Sequence, residues 1–156
     1  MDSLTSNVVE IPADDPAVLP LITAHLELMR ASSPACSVHA MEPGAMVEHG
    51  VRFFAVLEGK EAIAIGALKS LGDDAGEIKS MHVRRDYRGS GLAEKMLMRI
   101  VDAAREAGFR QLSLETGSQD AFAPARAFYK RHGFQLCAPF AEYTDDPASA
   151  YFTRQL

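Results

Sequence analysis

Residues 77–93 read EIKSMHVRRDYRGSGLA, a short strand-like segment that runs into a basic, glycine-punctuated loop and from there into a helix. Gly89 and Gly91 stand where the chain turns into the helix N-terminus. The first amide groups of a helix have no intrahelical acceptor, the helix dipole concentrates positive charge there, and a residue without a side chain lets an anion approach the backbone. From Arg84 to Arg99 there are five basic residues against Asp86 and Glu94, although the chain as a whole carries a net charge of -5. The loop is therefore a local anion cradle in an acidic protein. A P-loop would end in Gly-Lys-Ser/Thr, which is absent, and a dinucleotide fingerprint would need a third glycine where Glu94 stands.

Working outward, Leu92, Met96, Ile100 and Ala104 form one row at a spacing of four and Ala93, Leu97 and Val101 a second, which predicts an amphipathic helix from about Gly91 to Ala107 closed by Gly108. Gln111 to Glu115 reads as the next strand. Strand, helix and strand in succession predict a right-handed crossover with the two strands parallel. A further helix is expected from about Ala123 to His132, with Ala125, Phe128 and His132 on one face and Gly133-Phe134 as its stop. Phe134 to Ala138 and Ala150 to Gln155 are expected to complete the sheet around an excursion from Pro139 to Pro147. On the N-terminal side, Val8 to Ile11 reads as a strand. Leu19, Ile22, Leu26 and Met29 mark a helix, and Ser37 to Glu48 reads as at best a short broken helix. Val51 to Leu57 and Ala62 to Leu71 read as an antiparallel hairpin.

The chain has 156 residues, 47% hydrophobic and 24% charged, with no repeat or composition break, which predicts one domain over residues 1–156. Its negative balance gives no reason to expect nucleic acid or an anionic membrane as partner. The longest apolar run, Ala62 to Leu68, falls far short of the ~20 residues a membrane helix needs, and the N-terminus has no leader pattern, so a cytoplasmic location is expected. Cys36 and Cys137 are far apart and unaccompanied by ligand-spaced partners, which predicts neither a disulfide framework nor a metal site.

The sequence resembles the GCN5-related N-acetyltransferase (GNAT) superfamily. The family signature Arg/Gln-x-x-Gly-x-Gly/Ala after an aliphatic strand end is met by Arg88, Gly91 and Ala93 after Val83. The pattern of its later helix, Ala-x-x-Leu-Tyr-x-x-x-Gly-Phe, is met by Ala125, Phe128, Tyr129, Gly133 and Phe134. EIKSMHV, LSLETGS and FAPARAFYKRHGF also look like a small bacterial subgroup of acetyltransferases. The resemblance implies an α/β (α+β) GNAT fold. Its mixed, mostly antiparallel sheet would have six to seven strands flanked by about four helices, with strands four and five as a parallel, splayed pair. It further implies that acetyl-coenzyme A lies in the splay. Backbone groups of Met81 and Val83, with His82 between them, would hold the pantetheine. Arg88, Gly89, Ser90, Gly91, Leu92 and Ala93 would hold the pyrophosphate. Phe122 departs from the pattern, standing where many members carry an asparagine that contacts pantetheine.

The implied activity is transfer of an acetyl group to a primary amine, on a small molecule, by direct attack in a ternary complex. A protein or peptide amine, or a non-catalytic acetyl-coenzyme A sensor, are the alternatives. An alkylammonium is neutral in only about one molecule in 2,500 at pH 7, so its proton needs an acceptor. In the histone-acetylating branch a catalytic glutamate stands six residues before the strand-ending aliphatic, as Glu77 stands before Val83; Glu115 and water are the rivals. Tyr129 matches the tyrosine that the family places near the sulfur, the backbone amide of Met81 or a neighbour is the expected oxyanion donor, and no metal is implied. His39 and Cys36 fall in the segment that commonly overlies the acceptor, with His39 and Glu115 as candidate substrate contacts. Asp145 and Asp146 could attract an ammonium group. Family members often form homodimers through sheet edges.

Overall fold

A computed structural model describes residues 8–32 and 41–156, so His39 and Cys36 lie outside the described residues. In chain order the elements are β1 (Val8–Glu10), α1 (Leu19–Ser32), α2 (Pro43–Glu48), β2 (Arg52–Glu58), β3 (Glu61–Gly72), β4 (Ala75–Val83), α3 (Leu92–Glu106), β5 (Gln111–Gly117), α4 (Ala123–Arg131), β6 (Gln135–Leu136) and β7 (Ser149–Gln155). The seven strands form one sheet in the order β1-β2-β3-β4-β5-β7-β6. All neighbours are antiparallel except β4 and β5, which run parallel as a strand-helix-strand crossover requires.

Alternation along β2 and β3 feeds a core on each face of the sheet. Phe54, Val56 and Leu68 pack with Met96, Leu97 and Ile100 of α3 and with Tyr129 of α4. Phe53, Ala55, Ile65 and Ala67 pack with Ile22 and Leu26 of α1 and Met46 of α2. Burying each large side chain contributes roughly 1.5–3 kcal/mol, so both helical layers are anchored by side chains two apart on the same strands.

Three local readings change. The inward face of α1 is Leu21, Ile22, His25 and Leu26, and Leu19 is at the exposed start of the helix. The expected strand from Phe134 to Ala138 shrinks to Gln135–Leu136, which pairs only with β7 at the sheet edge and ends before Pro139, a residue without an amide donor. β5 continues past Glu115 to Gly117, because β7 supplies partners along its whole length. No helix among the described residues is long and apolar enough to cross a membrane.

Candidate active site

The parallel pairing of β4 with β5 covers only Ala75–Ile78 against Gln111–Leu114. Beyond that point β4 stays with β3 and β5 stays with β7, so the two strands part. The register of β4 on β3 shifts in the same place: Ala67 opposes Lys79 and Ile65 opposes His82, so Ser80 and Met81 stand against Gly66 alone. Ser80 takes φ 58°, the left-handed conformation, at this bulge. A bulge bends its strand and re-aims the residues that follow. The gap opens into a cavity of about 450 Å³ bordered by both strands, α1 and α4.

Glu77, Met81, His82, Val83, Arg88, Glu115 and Tyr129 all border this cavity, so seven of the predicted residues meet at one place although they span 53 positions. Gly89, Ser90, Gly91, Leu92 and Ala93 do not border it; they continue from Arg88 into the start of α3. Gly91 is the N-cap of α3, with φ 87° and no side-chain cap, so the first-turn amides of a 15-residue helix are left for another acceptor. Leu92 turns inward to the core, whereas Gly89, Ser90 and Gly91 are exposed. The Ser90 hydroxyl donates to the Tyr87 carbonyl and tightens the loop. Asp145 and Asp146 do not border the cavity; Asp146 accepts the amide of Ala148 and so shapes its own turn.

Tyr129 owes its position to the way α4 ends. The Phe134 N–H donates to the Tyr129 carbonyl (3.0 Å) and the Gly133 N–H to the Lys130 carbonyl (3.2 Å), while Gly133 adopts φ 88°. This is a Schellman stop, and its accompanying apolar contact is made by the Phe134 and Tyr129 rings. Burial pushes the Tyr129 phenol well above its ordinary range, so it serves as a hydrogen-bond donor rather than as a ready acid.

Glu77 is 2% exposed. Its Oε2 accepts the Tyr143 hydroxyl at 2.5 Å and Lys79 Nζ at 3.4 Å. Lys79 Nζ also donates to the Tyr143 oxygen at 3.1 Å. Tyr143 belongs to the excursion before β7, where it packs on Phe140 and Tyr151. Burial and the neighbouring Glu77 carboxylate push the Tyr143 phenol far upward, which keeps it a donor. On β5, Glu115 accepts the Ser149 hydroxyl at 2.8 Å. Residue spacing points to neither Tyr143 nor Lys79, since Tyr143 lies 66 positions from the carboxylate it contacts.

His25, on the inward face of α1, also borders the cavity, and its Nδ1 lies 3.1 Å from Nδ1 of His82. Its signal was the buried stripe Ile22, His25 and Leu26, where a histidine stands among apolar residues at helical spacing. Phe122 is buried and borders the cavity from the turn that leads into α4.

A family model described as Acetyltransferase (GNAT) family matches residues 20–134. The chain belongs to the GNAT acetyltransferase family. It is 40% identical over 139 residues to the uncharacterized N-acetyltransferase YsnE of Bacillus subtilis, covering 89% of this chain and 92% of that one. Among solved structures it is similar to an acyl-CoA N-acyltransferase of Klebsiella pneumoniae, with a TM-score of 0.77, 28% identity and 96% of each chain covered. The fold also matches N-acetylglutamate synthase from Neisseria gonorrhoeae in complex with coenzyme A and N-acetyl-glutamate. That match has a TM-score of 0.74 at 20% identity and covers 96% of this chain and 35% of the synthase. As a GNAT enzyme the protein is an N-acetyltransferase.

Proposed function

We propose that this GNAT enzyme transfers the acetyl group of acetyl-coenzyme A to the primary amine of a small molecule, by direct attack while both are bound. The observation that carries the reading is the parting of β4 and β5, which leaves the Met81–Val83 edge without a strand partner on its β5 side and joins it to Tyr129 and the α3 loop. An unpaired strand edge can take an amide-rich chain such as pantetheine as if it were another strand. An uncapped helix start behind a glycine loop, with Arg88 at its edge, suits the pyrophosphate. The coenzyme A complex of the gonococcal synthase supports the same donor on the same fold.

At the other end of the cavity Glu77 and Glu115 supply negative charge for an ammonium group. Glu77, with its Oε2 fixed by Tyr143 and Lys79, takes the first proton directly or through water, so that the nitrogen can attack. A backbone amide at the Ser80–Met81 bulge receives the developing oxyanion, and the Tyr129 hydroxyl stabilises the departing thiolate. A cavity of about 450 Å³ suits a small acceptor. Thiol release from acetyl-coenzyme A in the presence of small primary amines, with lysine peptides as the comparison, tests the reading. Faster release with a small amine supports it, and release with peptides alone overturns the small-molecule part.

A further inference from the structure

An ammonium must shed two protons to become an amide, one before its nitrogen can attack and one after the new C–N bond has left that nitrogen positively charged. Glu77 answers the first need. For the second, the cavity offers another pair of titratable groups, one from each side of the α1–β4 contact. The rings of His25 and His82 meet edge-on, with centroids 5.1 Å apart and an interplanar angle of 78°, and their Nδ1 atoms are 3.1 Å apart.

A hydrogen bond between two Nδ1 atoms constrains both rings. One Nδ1 must carry hydrogen and the other must not, so in the neutral pair one ring presents a lone pair at Nε2 and the other presents Nε2–H. His82 is the less enclosed of the two and follows Met81 on the strand that lines the cleft, whereas His25 is buried on the inward face of α1. The other charged and titratable groups that border the cavity with the pair are Glu77 and Lys79 on β4, Arg88 in the loop, Glu115 on β5, Tyr129 on α4 and Tyr143 in the excursion. Burial pushes both histidines down to about 4. The partner ring and Lys79 add to this for His25, and Arg88 for His82. The lone pair is thus kept at neutral pH rather than lost to protonation.

We propose that His82, held in its Nδ1–H tautomer by His25, is the catalytic residue that takes the second amine proton, from the nitrogen of the tetrahedral adduct. This rests on the amine-acetylating reading above. The adduct N–H bond breaks, its electron pair stays on nitrogen, and a new Nε2–H bond forms on His82. The imidazolium keeps its Nδ1–H donated to His25, which acts as a positioning residue. The Nε2 proton then leaves to bulk water, and because burial disfavours the charged ring the neutral base is restored before the next turnover.

The test uses the full chain. Without any substrate, nitrogen-resolved imidazole shifts at neutral pH should show His82 as Nδ1–H and His25 as Nε2–H, with neither ring gaining a proton above about pH 5. His82→Gln should lower kcat by about 100-fold with the KM for acetyl-coenzyme A within about twofold, and added imidazole should restore activity to His82→Gly. His25→Leu should mix the His82 tautomers and lower kcat by about tenfold, a spectroscopic change that lost packing alone does not produce. His82 in the Nε2–H tautomer, or full kcat in His82→Gln, would overturn the proposal. Wild-type protein that keeps the mixed tautomers but releases no thiol with any amine would overturn the acetylation reading, and the proton step with it.

Discussion

The Phe134 ring meets the Tyr129 ring edge-on, with centroids 5.7 Å apart, while the Phe134 N–H donates to the Tyr129 carbonyl at 3.0 Å. The stop of α4 and the placing of the proposed thiolate donor are therefore one structural event. Tyr129→Phe keeps the ring and this contact but removes the hydroxyl. It should lower kcat by about 10- to 1,000-fold and leave cofactor affinity and Tm nearly unchanged. Full activity with a lower Tm would make Tyr129 a packing residue only.

Gly133→Ala attacks the same event through the backbone. Any side chain at φ 88° is strained, by about 1–2 kcal/mol. The variant should melt several degrees lower, and its kcat should drop more than its cofactor affinity because Tyr129 moves. Wild-type kcat at a lowered Tm would separate the helix stop from catalysis.

At the loop, Gly91 stands at φ 87°, and beyond its own neighbours in the chain nothing lies within 4 Å of where a Cβ would sit. A Cβ there therefore costs some backbone strain but meets no residue beyond the adjacent ones. Gly91→Val should raise the Kd for acetyl-coenzyme A, measured by calorimetry, by about tenfold or more while the chain stays folded. Unchanged affinity would remove the loop from the cofactor site.

For the first proton, Glu77→Gln should lower kcat most at neutral pH and recover in part at high pH, where solvent supplies free amine. Tyr143→Phe removes the hydroxyl that donates to Glu77 at 2.5 Å and should cost about 1–3 kcal/mol of stability by denaturant titration. A Glu77→Gln profile that parallels wild type at every pH would shift the role to Glu115 or water.

The histidine pair also predicts how stability depends on pH. With the folded value of His25 pushed down to about 4 from an ordinary 6.5, the unfolded chain binds more protons between these values. Stability therefore falls as pH drops from about 6.5 towards 4, by roughly 3 kcal/mol from His25, and this part of the dependence is flat above that window. His25→Leu should flatten the slope. An unchanged slope would show that the ring titrates normally.

The fold was legible where local pattern and tertiary demand agree. The two apolar rows of α3 and the glycine stop of α4 each name their neighbours by spacing alone, and both stand as read. The parallel pairing of β4 with β5 follows from the helix that separates them in the chain. What spacing could not deliver are contacts made across the chain. Tyr143 reaches Glu77 from an excursion with no periodicity, and His25 reaches His82 across 57 positions. The bulge at Ser80 was also hidden, because nothing about a serine in a strand announces a positive φ. Seven candidate residues still converged on one cavity, since the pattern does locate β4, which carries Glu77, Met81, His82 and Val83, β5, which carries Glu115, the loop of Arg88 and the α4 stop that sets Tyr129.

The most direct test is mass spectrometry of the product formed from acetyl-coenzyme A labelled in its acetyl group, using a panel of small primary amines. The predicted result is a product carrying the intact labelled acetyl on the amine nitrogen, formed in step with free coenzyme A and lost in step with kcat in Tyr129→Phe. Tight binding of acetyl-coenzyme A with no labelled amine from any acceptor would contradict it.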